Sequence, residues 1–459
     1  MRIETDALGK MELEADVYYG IHSARARDNF PLSGRSLHPQ LIRALALVKH
    51  AAAIANCDAK RLSEKKKTVI VQTCEEIVNG LYHDQFITDA LQGGAGTSAN
   101  MNINEVIANR ANELLGSPKG SYAPVRPIED VNLSQSTNDV FPTAVRIAAI
   151  QLLKQVSDGF AKLQTALQEK EEAFAEILKV GRTELQDAVP MTLGQEFGAW
   201  AQAIARDRWR LYKAEERLRQ INLGGTAIGT GLNAPRAYTF AVAERLRELT
   251  GIGLARAEDP IDPTQNCDVF VEISGLLKAA AVNLSKISGD LRLLSSGPRG
   301  GLGEITLPAL QAGSSIMPGK INPVIPEAVT QAAYQIIAND TAITLAAQAG
   351  NLELNAFLPL IAQNLLEMLD LAKRSVTLLT EKCIQGIQPN PTRCAELAES
   401  SLSMAAVLIE HIGYDAAAKL AKNCLQSGKT IRQALLEDGQ LPKEKIDRIL
   451  NTRSMTSGR

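Results

Sequence analysis

"TAVRIAAIQLLKQVSDGFAKLQTALQEKEEAFAEILK", residues 143–179, decides the fold class. Apolar residues recur along it at helical spacing, with one interior glycine, Gly159, and no interior proline. That pattern predicts one helix from Thr143 to Lys179. Four more runs share it: Thr192 to Ile221, Asp268 to Ser296, Glu327 to Ala349 and Phe357 to Ile384. Each has 23–37 residues, which at 1.5 Å per residue means rods of roughly 35–55 Å. An average globular helix has only about 11–12 residues. Strand signals are sparse and no βαβ alternation is visible, so the expectation is a mainly all-α chain built on a long central helical bundle. Faces rich in alanine and leucine, such as Leu276-Leu277-Lys278-Ala279-Ala280-Ala281, predict burial against further helices and hence a homo-oligomer.

Polar, glycine-rich segments interrupt the rods. They are "QGGAGTSANMNINE" (92–105), "NLSQSTNDVFP" (132–142), "VGRTELQDAVP" (180–190), "NLGGTAIGTGLN" (222–233) and "GSSIMPGKINPVIPE" (313–327). All fall at predicted helix ends, where a long bundle can bring distant parts of the chain together. The last is the most polar and the most hinged, with two adjacent serines, a lysine, an asparagine and three prolines. It reads as a lid that carries chemistry.

Composition removes several classes of function. The chain has 459 residues, 45% apolar and 22% charged, as in ordinary globular proteins. Its net charge is −2 and only 4% of its residues are aromatic, which argues against a nucleic-acid partner. The six cysteines (Cys57, Cys74, Cys267, Cys383, Cys394 and Cys424) form no CxxC pair and no metal-ligand spacing. They read as small buried residues of a reducing compartment. The N-terminus lacks a secretory h-region and no apolar run has the length of a membrane span, so a cytoplasmic protein is expected, with no membrane partner.

The loops supply hydroxyls, amides and one ammonium: Thr97, Ser98, Asn102, Ser136, Thr137, Asn138, Thr183, Ser314, Ser315, Lys320 and Asn322. Such groups donate to anionic oxygens. No loop holds a histidine, no carboxylates cluster for a metal, and "GGAGTSAN" follows no strand, as a dinucleotide fingerprint must. The inventory suits a small carboxylate substrate with no cofactor and no metal. Taken singly, Ser314 reads as a turn serine, Lys320 as a solvated lysine, and Thr97, Ser136 and Thr137 as helix caps. Glu327 reads equally as a partner of Lys320 or as a cap of the next helix.

Together, in this order, these motifs resemble the fumarase/aspartase superfamily, whose signature has the form GSSxMPxKxNPxxxE. "GGAGTSANMNINEVIANR", "QSTNDVFPTA", "GRTELQDAVPMTLGQEF" and "NLGGTAIGTGLN" extend the likeness over nearly the whole chain. "NPVIPE" and "ADVYYGIHSARARDNFPLSG" place it nearest the aspartase branch. The resemblance implies a three-domain fold, here 1–138, 139–390 and 391–459, and a tetramer with a twenty-helix core. It also implies active sites shared by three subunits. The implied reaction is the reversible deamination of L-aspartate to fumarate and ammonia, through an enediolate. Alternatives are a sister lyase expelling another amine, such as trimethylamine from ergothioneine, a fumarate hydratase, and an inactive structural homologue.

Carried over by resemblance, Ser314 is the catalytic base, and Lys320 and Asn322 hold a substrate carboxylate. Thr97, Ser136, Thr137 and Ser315 hold the carboxylate that becomes the enediolate, and Asn138 and Thr183 address the amino group. The pattern departs at two places. Fumarases and some aspartases have histidine, and other aspartases glutamine, where this chain has Glu184. Loss of the histidine weakens the hydratase reading, and a carboxylate there suits a substrate ammonium or another cationic amine. The stretch "RPIEDVN" (126–132) replaces a common His-Pro-Asn-Asp, so the accessory carboxylate site of fumarases is not expected.

Overall fold

The computed structural model describes residues 1–439, 441–450 and 456. The chain forms two compact units. One comprises residues 1–157, 210–279 and 335–373; the other comprises residues 158–209, 280–334 and 374–459.

The first unit opens with an antiparallel hairpin, β1 (Arg2–Asp6) and β2 (Gly9–Leu13). Helices α1 (Ile21–Asn29), α2 (Pro39–Asp58), α3 (Glu64–Val78) and α4 (Thr97–Leu114) follow. α2 is the hub. Its alanine-rich sequence lets neighbours approach closely, and it packs on α3, on α4 and on α7 (Arg236–Thr250). Ala44, Leu45, Ala46, Val48, Ala51 and Ala52 are fully buried along it.

α4 is buried too, yet it is lined with amides. Asn102 accepts from Ile87 N at 3.0 Å and donates to Gln85 O at 3.0 Å. Asn109 donates to Tyr18 O and accepts from Gly120 N, and Asn112 closes both bonds with Val125. Each amide meets the backbone of a loop that would otherwise bring unpaired N–H and C=O groups into the core. The loops flanking α4 are thereby stitched to it.

The five predicted rods are all present. They are α5 (Thr137–Ala173), α6 (Leu193–Leu218), α9 (Asp268–Leu294), α10 (Val324–Gln348) and α11 (Leu358–Lys382), with the short α8 (Asp262–Gln265) ahead of α9. The chain is mainly helical, as expected. The rod expected over Thr143–Lys179 is shifted, however: it starts six residues earlier, at Thr137, and stops at Ala173. Its start lies ahead of Pro142, which has no N–H to offer Asn138 O; Asn222 Nδ2 fills that acceptor at 2.9 Å. Leu178 and Lys179 belong to a strand instead.

That strand is β3 (Leu178–Thr183), which pairs antiparallel with β4 (Gln186–Thr192) in the second unit. The expected loop 180–190 is therefore a hairpin. A glycine is required at 181, because a Cβ there would lie 2.7 Å from Val189 O. The second unit ends in α12 (Pro391–Ser400), α13 (Ile409–Ile412), α14 (Tyr414–Ser427), α15 (Ile431–Asp438) and α16 (Lys443–Ile449). α14 to α16 enclose a small core of Ala417, Cys424, Ile431, Leu435, Ile446 and Ile449. Among the described residues no helix is long and apolar enough to cross a membrane.

Candidate active site

In the first unit, α5 begins with a reciprocal cap. Ser136 Oγ accepts from Asn138 N at 3.2 Å, while Asp139 Oδ1 accepts from Ser136 N at 3.0 Å. Asp139 is fully buried, and its other oxygen accepts from Gly224 N and Thr226 N of the 222–233 segment at 3.0 and 2.9 Å. Burial outweighs these bonds and pushes its carboxyl up to about 6. Asn138 Nδ2 donates to Ala227 O at 2.7 Å. The 132–142 and 222–233 motifs are thus one structure.

Thr137 is buried and its Oγ1 accepts from Asn100 Nδ2 at 3.1 Å, one turn along α4 from Thr97. Thr97 is exposed on the first turn of α4 and donates to Gly94 O at 2.7 Å. Gly96, ahead of it, has φ 95°, and a Cβ there would collide with the Phe141 ring. So Thr97, Ser136, Thr137 and Asn138 are gathered at the adjoining starts of α4 and α5.

Beneath them lies a polar cluster that the motif reading missed. Lys49 is fully buried on α2 and donates to Asn132 Oδ1 at 2.9 Å and to Gln135 Oε1 at 3.0 Å. Asn100 and Asn104 donate to the same Asn132 oxygen. No carboxylate among the described residues pairs with Lys49, and burial pulls its amine down to about 7. The available signal was a lone lysine inside the apolar run "ALALVKHAAAIAN".

In the second unit, Thr183 and Glu184 stand exposed at the tip of the β3–β4 hairpin. Glu184 and Leu185 occupy the two turn positions with φ 55° and 62°, a conformation side chains other than glycine adopt at a cost. The 313–322 loop is clasped at its ends: Gly313 N donates to Lys320 O at 2.8 Å, and Asn322 Nδ2 to Gly313 O at 2.7 Å. Inside the clasp, Ser314 Oγ accepts from Ile316 N at 3.2 Å and from Met317 N at 3.1 Å. Ser315 and Lys320 are exposed, and Lys320 makes no ion pair among the described residues. Glu327 sits in the first turn of α10, 3.9 Å from Arg292 rather than on Lys320. No hydrogen bond joins the hairpin tip to this loop among the described residues.

Chemically, two backbone N–H groups on one serine oxygen stabilise its deprotonated form. The hydroxyls and amides above α4 and α5 are donors matched to a carboxylate.

A lyase family profile matches residues 9–338, and a profile described as fumarase C C-terminus matches residues 404–457. The aspartate ammonia-lyase of Bacillus subtilis is 46% identical over 455 residues, covering 99% of this chain and 96% of that one. The aspartate ammonia-lyase of Pseudomonas aeruginosa is 48% identical over 461 residues, covering 100% and 97%. A crystal structure described as fumarate lyase:delta crystallin from Brucella melitensis, bound to cobalt, superimposes with a TM-score of 0.95 at 49% identity, covering 99% of each chain. A class II fumarase from Schistosoma mansoni gives 0.95 at 35% identity, again over 99% of each chain. The chain belongs to the fumarase/aspartase superfamily of lyases.

Proposed function

We propose that the chain is a carbon–nitrogen lyase that deaminates L-aspartate to fumarate and ammonia, reversibly. The observation that carries the mechanism is Ser314 Oγ, held by the N–H groups of Ile316 and Met317 in a loop that also bears Lys320 and Asn322. The identity of 46–48% along the whole chain to relatives named aspartate ammonia-lyase supports the choice of substrate.

Ser314, as its alkoxide, takes the proton next to the reacting carboxylate. The electron pair moves into that carboxylate, which becomes an enediolate dianion. Thr97, Ser136, Thr137 and Ser315 donate to its oxygens and stabilise the charge that develops. Lys320 and Asn322 hold the other carboxylate, while Asn138, Thr183 and Glu184 address the ammonium. Collapse of the enediolate breaks the carbon–nitrogen bond, forms the double bond of fumarate and releases ammonia.

The working form is a homotetramer with each site shared by three subunits, its middle part, residues 139–390, supplying the helical core. Exposed apolar side chains support assembly with further copies: Trp209, Tyr334 and Leu345 on the rods and Leu185 and Ile316 on the site-bearing loops. The free thiols fit a reducing cytoplasm.

The direct test is the ultraviolet absorbance of fumarate formed from L-aspartate, with L-malate and betaine-type amines run in parallel. Fumarate from aspartate, with negligible turnover of malate, is the expected result. Release of trimethylamine from a betaine without turnover of aspartate would replace the substrate and keep the chemistry.

A further inference from the structure

Glu304 is completely buried, and two cations of one strand converge on it. Arg182 donates to it through both Nη atoms, at 3.0 and 2.9 Å, and Lys179 Nζ lies 3.4 Å away. Strict alternation along β3 would send residues 179 and 182 to opposite faces. The β3–β4 register shifts between Val180 and Arg182, where Gly181 alone stands opposite Ala188 and Val189 of β4, and Lys179 and Arg182, on either side of that shift, reach the same carboxylate.

Glu304 is itself anchored on either side. Its N–H donates to Leu294 O at the end of α9, and its carbonyl accepts from Asn390 N ahead of α12. Glu196 on α6 completes the charge balance by pairing with Lys179 at 2.5 Å. The tip beyond Arg182 is strained at Glu184 and Leu185, and such backbone persists only where its surroundings over-determine it. A slip of one residue would relieve the turn and carry Thr183 to the opposite face.

We propose that Glu304 is a positioning residue: by gripping Arg182 and Lys179 on either side of the register shift, it fixes the facing of β3 and with it the hairpin tip that presents Thr183 and Glu184 to the amino group of the substrate. The assignment rests on the lyase reading above. Glu304 touches no reacting atom; it acts on the amine side of the site alone.

Running the reaction backwards separates the two sides, because ammonium and fumarate then each have a KM. Glu304→Gln should raise the KM for ammonium by roughly ten- to a hundredfold, as expected for a displaced binding group, with the KM for fumarate changed by less than about twofold. Glu196→Gln, which leaves Arg182 and Lys179 on Glu304, should leave both near wild type. Amide hydrogen exchange at residues 183–187 should quicken in Glu304→Gln and not in Glu196→Gln. An unchanged KM for ammonium, or a parallel rise of both constants, overturns the proposal. If Glu304→Gln does not fold, Glu304→Asp, which breaks the two-pronged contact, takes its place under the same criteria; if neither folds, Glu304 is a structural residue and the proposal fails. A wild type that makes no fumarate from aspartate and releases no amine from a betaine defeats the lyase reading by itself, and hydrogen exchange then still judges the claim about β3.

Discussion

Mixing two inactive variants tests how the site is assembled. On the proposed mechanism Ser314→Ala removes the base, a loss of roughly 10²–10⁴-fold. Thr137→Val removes a buried hydroxyl that accepts from Asn100 and, on the proposed mechanism, serves the enediolate. On that mechanism the change removes one donor to the developing charge, a loss of roughly 10²–10³-fold in kcat. The two residues belong to different units of the chain. If different subunits supply them to one site, co-refolding at equal amounts gives each site an independent half chance of a native Ser314 and of a native Thr137. About one site in four of the closed oligomer is then fully native, so activity should climb to about a quarter of wild type. The structure also supplies the control. Ser314 and Lys320 sit in one clasped loop, so each site draws both from the same chain. Mixing Ser314→Ala with Lys320→Ala should leave activity at the mean of the parents. The assay is fumarate formation after co-refolding, with differently tagged chains proving that subunits exchanged. Should the Ser314/Thr137 mixture stay at the parental mean despite exchange, both residues come from one chain and the shared-site reasoning is refuted.

Further outcomes can be measured singly. Lys320→Ala should raise KM and lower kcat together, since its ammonium holds carboxylate in ground and transition states alike; an unchanged KM would make it a solvated surface lysine. Glu184→Gln should lower kcat/KM for aspartate by roughly ten- to a hundredfold without creating malate activity, because a carboxylate near an ammonium loses its attraction; parity with wild type would place Glu184 away from the amine. Lys49→Met should change how stability depends on pH. The Lys49 amine is pulled down to about 7 in the folded chain, against about 10.4 unfolded. Between those values the unfolded chain binds more protons, so wild-type stability rises with pH and the burial penalty, full below about 7, fades. The methionine variant lacks that rise, so its stability relative to wild type should fall by roughly 3 kcal/mol between about pH 7 and 9.5, read from urea midpoints. A difference independent of pH would contradict the lowered amine.

The five rods were legible because their burial is one-sided over many turns, and the 3.6-residue period survives any local irregularity. Their ends were less so. Pro142 looks like a helix stop, and only the distant Asn222 amide, which fills the vacant acceptor, shows why the helix passes through it. The hairpin at 178–192 escaped notice because "EEAFAEILK" keeps helical spacing up to its last residue, and the strand pairing that overrides it is tertiary. Motif order picked out the hydroxyls and amides of the candidate site. Lys49 and Glu304 lie outside those motifs, and a charge in an apolar run shows its role only when its partners come into view.

On the proposed mechanism, the clasp around residues 314–321 bears on how fast this loop can work. Ordering a free segment of that length costs on the order of 1–2 kcal/mol of backbone entropy per residue, a charge that would recur at every turnover. With Gly313 and Asn322 pinned to each other, Lys320 turned back onto Gly313 and Ser314 Oγ holding two N–H groups, part of that ordering is already met when the chain folds. A lid of this kind would close over a substrate by swinging about its two clasped ends, and would release product by the same swing in reverse.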